Sequence, residues 1–423
     1  MRGDPSATAG AASSHGGLSG SGAVELTRRS LVSELEGGSR VVVVKAGGLG
    51  DLLAATPALR ALRRALPEAE ITLVTKAWLA PFCARYGSLN RVLVAPPCPG
   101  VGDPPFREAE CEDFCQRLRS ERIDLAVQFQ GHGALSNGFL LRLGARFTAG
   151  FCGPDAPKLD FCLPFDSRQH EVLRFLDLLD LIGVPADGWE MDLPLTHTDE
   201  AELAALLGLL GKRELEERRC LGLNVSAGGA SRQWPVDRFA AVANQLLARY
   251  SLAGVVVSAG PGQEERASQT VASISPRYHA VNVSGRLSLG GLAALISRLR
   301  LLVSTDSGPA HMAVALGTPS VTVFGAGHPA NWAPLARTWN RLAATWHTPC
   351  RWLEHDGCPE APTVPCLLGV SVEQVVAEAS NLLELLDRLS DSSLPAVDTH
   401  GTSPIRLSYT VVGSERVVVQ QVL

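Results

Sequence analysis

This chain lacks any apolar stretch approaching the twenty or so residues that a bilayer-spanning helix needs. Its first residues also lack the apolar core of a secretory signal, so the expectation is a cytoplasmic protein. Positive charge is not in excess: 38 Lys and Arg stand against 43 Asp and Glu, for a net charge of −5. Bulk electrostatics therefore exclude a nucleic-acid binder. Ten cysteines in 423 residues are too sparse for a disulfide scaffold and fit a reducing compartment. No Cys-x-x-Cys or His-Glu-x-x-His occurs. Cys350, Cys358 and Cys366 recur at intervals of eight, with His347 and His355 nearby. That spacing matches no established zinc signature, and no metal is expected. Of residues 1 to 22, fifteen are Gly, Ala or Ser, which cannot bury enough surface to order the segment.

What remains is a regular alternation of apolar runs with helical periodicity. Val41–Lys45, Ile71–Val74, Val92–Val94 and Leu125–Phe129 read as strands of one parallel sheet. Leu221–Val225, Val255–Val257, Val281–Val283, Leu301–Val303 and Val321–Phe324 read as a second. Strands separated by helices place the chain in the α/β class. The polar, proline-containing stretch from Trp189 to Asp199 lies between the two series. The expected organisation is a tail (1–39), a first domain (40–192), a second domain (193–370), a helix (371–389) and an extension (390–423). In that helix Ser371 and Gln374 have capping-box spacing, and its apolar stripe is expected to pack back on the first domain.

Two glycine-containing turns follow buried strands. The first, Lys45-Ala46-Gly47-Gly48-Leu49-Gly50-Asp51, fits neither a dinucleotide fingerprint nor a Walker loop. The second is Asp306-Ser307-Gly308-Pro309-Ala310-His311. Asp and Ser favour helix starts, Pro fits the first turn, and free N–H groups there attract anions. This turn reads as a phosphate seat or as an ordinary capped helix. Neither turn has an Asp-x-Asp beside it to hold a divalent ion.

The first turn, with Thr-Pro-x-Leu-Arg-x-Leu after it, resembles the N-terminal signature of glycosyltransferase family 9, the ADP-heptose:lipopolysaccharide heptosyltransferases. So do the second turn with Phe324-Gly325, the block Ser231-Arg232-Gln233-Trp234-Pro235 with Arg238-Phe239, and the cysteine run before Val370-Ser371-Val372. The resemblance spans about Arg40 to Leu389 and implies a GT-B fold, two Rossmann-like domains with parallel sheets facing across a cleft. It implies inverting transfer of heptose from ADP-heptose to a lipopolysaccharide inner-core acceptor, without a metal cofactor. Asp51 becomes the candidate base, with a helix N-cap as the alternative, and Lys45 its partner or a phosphate ligand. Gly47, Gly48 and Gly50 form the acceptor-side loop. Donor contacts fall to Arg232, Glu264 (or Glu265), Asp306, Ser307, Gly308 and His311, the last also readable as a packing residue. Trp234 reads as core.

Gly47-Gly48 stand where members of that family often carry two serines, which removes two hydroxyl donors from the acceptor side. Arg60, Arg63 and Arg64 share one face of a helix that Pro57 is expected to begin. They form either a solvated face or a basic patch for peripheral contact with the inner membrane. The competing functional readings are a transferase or epimerase acting on another nucleotide sugar, and a catalytically silent nucleotide-sugar-binding scaffold.

Overall fold

The computed structural model describes residues 31–35, 37–210, 219–325, 329–336, 338–344, 364–391, 408–412 and 415–419. The short apolar runs become two six-stranded sheets, parallel throughout. Strands β1 (Arg40–Val44), β2 (Glu70–Thr75), β3 (Arg91–Val94), β4 (Leu125–Gln128), β5 (Phe147–Cys152) and β6 (Phe161–Pro164) lie in the order β3-β2-β1-β4-β5-β6. Strands β7 (Cys220–Asn224), β8 (Gly254–Ser258), β9 (Ala280–Asn282), β10 (Leu301–Thr305), β11 (Ser320–Phe324) and β12 (Asn340–Ala344) lie in the order β12-β11-β10-β7-β8-β9. Each sheet reverses its winding once, between β1 and β4 and between β7 and β10. Such reversals open a crevice beyond the strands' carboxyl ends.

Around the first sheet run α1 (Leu49–Ala65), α2 (Ala80–Cys83), α3 (Glu108–Ser120), α4 (Ser136–Arg142) and α5 (Glu171–Leu181). The second carries α6 (His197–Leu210), α7 (Val236–Arg249), α8 (Glu264–Ser273), α9 (Leu289–Ser297), α10 (Gly308–Ala315), α11 (Pro329–Trp332), α12 (Pro365–Gly369) and α13 (Val372–Asp391). A hairpin of β13 (Ser408–Val412) and β14 (Glu415–Val419) pairs the valine-rich residues of the C-terminal extension with each other.

Helix α1 begins at Leu49, eight residues before the proline expected to start it. Pro57 therefore lies inside, where its missing N–H would orphan the carbonyl four residues back, that of Leu53. The buried Thr56 hydroxyl donates to that carbonyl at 2.7 Å. The same oxygen accepts the Asp192 N–H at 2.8 Å, tying the interdomain segment to the helix. The arginines of α1 do similar work. Arg60 donates to the carbonyls of Asp187 and Glu190 and pairs with Asp192. Arg64 pairs with Asp187, and Arg63 donates to the carbonyls of Pro67 and Ala69. Arg60 and Arg63 of this basic face thus anchor the chain's own backbone, and Arg64 pairs with the Asp187 carboxylate.

The irregular segment from Val184 to Thr196 crosses to the second domain, close to the boundary expected at 192. A nearly buried ion pair, Arg85 to Asp199 at 2.6 Å, fastens the start of α6 to the first domain. Helix α6 packs on α9, and α1 packs on α10, so one apolar cluster runs from Leu52 and Leu53 into Ile296, Met312 and Ala313. Helix α13 departs from expectation. Its capping box is present, with Ser371 N–H donating to Gln374 Oε1 and Gln374 N–H to Ser371 Oγ. Its stripe (Val375, Val376, Ala379, Leu382, Leu383), however, buries against α7 and strands β10 to β12 of the second domain. Arg300–Asp387 and Tyr250–Glu384 contacts hold it there rather than on the first domain.

Two cysteine pairs, Cys98–Cys111 and Cys152–Cys162, are joined as disulfides, against the expectation of reduced thiols throughout. The latter pair lies on adjacent strands, where the parallel register brings the residues close. Cys83, Cys115, Cys220 and Cys366 are buried and lie outside these two bridges.

Candidate active site

The carboxyl end of β1 delivers Lys45 into the interior, 3% exposed, with its ammonium 4.9 Å from the centre of the Phe175 ring. Its Nζ donates to Asp51 Oδ1 at 2.7 Å. The other carboxylate oxygen, Oδ2, accepts the Gly48 N–H at 3.0 Å. Asp51 is thus at the third position of α1 and reaches back to the N-cap, which is Gly48. The alternative that Asp51 is itself the N-cap is replaced by this geometry. Burial opposes its charge most strongly. The Lys45 ammonium, the hydrogen bonds from Lys45 and Gly48, and nearby His311 outweigh that and hold the carboxyl below its usual range. At neutral pH Asp51 is a carboxylate.

The glycines around it differ in what they permit. A Cβ on Gly47 would sit 2.6 Å from Asp51 Cγ, so the returning carboxylate needs that glycine. On Gly48 it would meet only Asp51 Oδ2 at 3.5 Å, an ordinary contact. On Gly50 it would sit 2.6 Å from His311 Cδ2, an atom of the other domain.

The second turn faces the first. β10 ends in Thr305, Asp306 is 3% exposed, and Ser307 is the N-cap of α10. The Ser307 hydroxyl does not cap; it accepts from Asn224 Nδ2 at 2.9 Å and donates to the Thr305 carbonyl at 3.2 Å. Asp306 Oδ1 lies 3.8 Å from His311 Nε2, and Asp306 Oδ2 lies 4.0 Å from Arg232 Nη1. Burial pushes the Asp306 carboxyl up, against the pull of His311 and Arg232. Burial likewise pushes His311 down, against the pull of Asp306 and Asp51, with Arg232 adding to the downward shift. The neutral imidazole packs edge-on against Trp332, ring centres 5.6 Å apart.

The structure therefore brings Lys45, Asp51, Asp306, His311 and Arg232 into one locus built from both domains. It does not bring Glu264 into that group: the side chain is exposed at the start of α8 and accepts the Gly262 N–H at 3.1 Å. Glu265 is exposed as well. Between these turns it is Gln263 that reaches inward, donating to the Ala227 carbonyl at 2.8 Å and accepting from Gln233 at 3.0 Å. Trp234 is fully buried, with its indole N–H on the Val370 carbonyl at 3.2 Å, a core role as expected. Sequence reasoning passed over Asn224, Gln263 and Gln130, whose Oε1 accepts the Ala46 N–H of the first turn at 3.0 Å. Only the position of Gln130 just beyond a strand end at a winding reversal marked it.

Gly308 has a steric reason to be glycine besides the phosphate contact expected of it. A Cβ there would lie 2.8 Å from Leu49 Cδ2 and 3.1 Å from Leu49 Cβ, so its bare side faces α1. Among the described residues no group of three or more His, Cys, Asp or Glu could hold a metal ion. Cys350, Cys358, His347 and His355 lie outside the described residues. No helix of the described residues is long and apolar enough to cross a membrane.

Residues 112–360 match the model of glycosyltransferase family 9 (heptosyltransferase), a span that holds the second turn and begins after Asp51. Lipooligosaccharide heptosyltransferase 2 of Haemophilus ducreyi is 24% identical over 314 residues, 70% of this chain and 86% of that protein. Lipopolysaccharide heptosyltransferase 2 of Escherichia coli K12 is 23% identical over 366 residues, 81% of this chain and 98% of its own length. Among solved structures, a family 9 glycosyl transferase from Veillonella parvula superposes with a TM-score of 0.67 at 21% identity, covering 82% of this chain and 97% of that one. The E. coli ADP-heptose lps heptosyltransferase II gives 0.64 at 20% identity, covering 82% and 99%. These likenesses fix the fold as GT-B.

Replacing Gly308 by Val is expected to destabilise the protein by about 1–3 kcal/mol through overpacking against Leu49. Adding Leu49→Ala should recover part of that loss, which a double-mutant cycle in denaturant would measure. Additive losses would show that Gly308 does not need its bare side for this helix contact.

Proposed function

This chain belongs to glycosyltransferase family 9, the heptosyltransferase family, and on that footing we propose that it transfers heptose, with inversion, from ADP-heptose to a lipopolysaccharide inner-core acceptor. The observation that carries the reading is the meeting of an ionised carboxylate and an anion-ready helix start in one locus. Asp51 takes the proton from the acceptor hydroxyl as that oxygen attacks the anomeric carbon. Lys45 keeps the carboxylate charged and aimed, since its ammonium is buried against Asp51 and has Phe175 beneath it. The bond to the diphosphate breaks on the opposite face of the sugar. The charge that develops there is met by the N-terminus of α10 and the half-exposed Arg232 guanidinium. Those groups take the electrostatic task that a divalent ion performs in other transferases, so the reaction proceeds without metal. Burial shifts Asp306 toward its neutral form, which lessens its repulsion of a diphosphate.

The relatives named for lipooligosaccharide and lipopolysaccharide support a lipid-linked saccharide as acceptor. The exposed apolar residues that support peripheral membrane contact are at the rim of the first domain. Trp78, Val94, Phe106 and Leu135 are exposed on segments beyond the carboxyl ends of β2, β3 and β4, the same end as Asp51. The segments that carry them adjoin: Ala77 and Val94 line one pocket with Pro97 and Val101, Arg107 N–H donates to the Pro97 carbonyl, and Gly100 backs onto Leu135. A rim of this kind inserts shallowly among headgroups while the site faces the acceptor's sugars.

Asp51→Asn keeps the shape and the hydrogen bond from Gly48, and should lower turnover by about 10²–10⁴ with ADP-heptose affinity unchanged, measured in EDTA. A variant with near wild-type turnover would remove Asp51 as the base. Because Asp51 titrates below the ordinary carboxylate range, the acid limb of kcat/KM should lie below that range. Lys45→Met leaves burial unopposed by the ammonium and should move the limb upward. The stability this ion pair contributes has the same sign: present above the unfolded-state pKa, lost as pH falls through the folded one. Changing Trp78, Phe106 and Leu135 together to Ser should abolish co-sedimentation with vesicles of phosphatidylethanolamine and phosphatidylglycerol. Undiminished sedimentation would place the membrane contact elsewhere.

A further inference from the structure

The first turn offers no side chain at Gly47 or Gly48 with which to grip an acceptor, yet it is held from the side by a buried amide network. Gln130 Oε1 accepts the Ala46 N–H at 3.0 Å, across 84 residues of chain. The Gln130 N–H in turn donates to Gln128 Oε1. Gln128 is fully buried at the end of β4, and its Nε2 donates to Asn137 Oδ1 at 2.9 Å and to the Phe151 carbonyl at 3.3 Å. Asn137, also fully buried, donates to the carbonyls of Phe151 and Pro157 at 3.0 and 2.9 Å. Glycines make room for this chain of amides. A Cβ on Gly150 would lie 2.6 Å from Gln128 Cγ, and one on Gly133 would lie 2.2 Å from the Phe151 carbonyl oxygen and 2.6 Å from Asn137 Nδ2. Two fully buried amides, a half-buried third and two sterically required glycines are a costly arrangement for a strand end that only needs to turn.

The network also decides which way the Gln130 amide faces. The Ala46 N–H is a donor, so the carboxamide oxygen must point to it, and the NH2 group must point away. That group has no protein partner among the described residues, and the side chain is half-buried rather than sealed. Its position is the crevice between β1 and β4, where the sheet reverses its winding and where open α/β sheets take their ligands.

We infer that Gln130 reads the acceptor: its NH2 donates to a hydroxyl or carboxylate oxygen of the acceptor saccharide while its oxygen holds the turn that carries Asp51. This rests on the transferase reading above and names a specificity residue for it. One planar group then couples acceptor occupancy to the placement of the base, since the Ala46 peptide leads directly through Gly47 and Gly48 to Asp51. The donors missing from the glycine turn are supplied by the neighbouring strand.

Two variants separate the amide's two edges. Gln130→Glu retains an oxygen for the Ala46 N–H and loses the donors. Gln130→Met has similar length and loses both. With ADP-heptose and a deacylated, heptose-free lipopolysaccharide core as acceptor, Gln130→Glu should raise acceptor KM about 10-fold or more, with donor KM and kcat nearly unchanged. Gln130→Met should raise acceptor KM comparably and also lower kcat about 10-fold or more, because the turn is released. A merely structural role would change melting temperature and kcat in both variants and leave the acceptor's KM alone; that result overturns the inference. So does wild-type acceptor KM in Gln130→Glu. Failure of the wild-type protein to transfer to this acceptor would instead overturn the activity reading, which keeps the two outcomes apart.

Discussion

The first turns of α1 and α10 come from different domains and meet with a glycine facing a side chain in each direction, and the site depends on this contact. Leu49 rests against the bare face of Gly308, and His311 rests against the bare face of Gly50. Each domain supplies one glycine and one side chain, so the two helix starts approach closely. Both starts also carry the partial positive charge of a helix N-terminus. Bringing two such ends together is unfavourable unless negative charge lies between them. The Asp51 carboxylate provides it in the unliganded protein, with His311 interposed. A diphosphate entering this locus would add the charge that the geometry already favours.

The rest of the molecule keeps that contact in register. Thr56 accepts the N–H of Asp192 while repairing the carbonyl that Pro57 orphans, so a proline inside a helix becomes a point of attachment for the crossing segment. Arg60 and Arg64 hold the same segment from the next turns of α1, and Arg85 holds α6 through Asp199. The apolar cluster continuous from α1 into α9 and α10 then packs the two domains together beside the site. Helix α13 braces the second sheet, while Asn331 donates to the Ser167 and Gln169 carbonyls and His170 meets the Ala333 carbonyl to fasten the domains at the start of α5 as well.

Much of this was legible in the sequence because parallel strands buried on both faces announce themselves as apolar runs. The strands that escaped are those whose composition serves another need. β5 carries Gly150, required by the Gln128 side chain, β6 ends in Pro164, and β12 holds two alanines and a buried asparagine. The turns bearing Lys45, Asp51, Asp306 and His311 were legible because their residue types are unusual at strand ends. Gln130 and Asn224 were not, since an amide beside a strand has no periodicity and its partners lie dozens of residues away. Arg60, Arg63 and Arg64 show the opposite case: a helical face of like charge looks like a free surface, yet backbone carbonyls occupy Arg60 and Arg63 and a carboxylate pairs with Arg64. Gly308 was picked out correctly as a close approach, but the approaching group is a leucine of the other domain.

The account stands most directly on the identity of the leaving nucleotide and the configuration of the product. Incubated in EDTA with a heptose-free inner-core acceptor and a panel of nucleotide sugars, the protein should release ADP from ADP-heptose, in proportion to acceptor, and form a glycoside of inverted anomeric configuration. Release from a different nucleotide sugar, release that requires an added divalent metal, or a product of retained configuration would contradict the account.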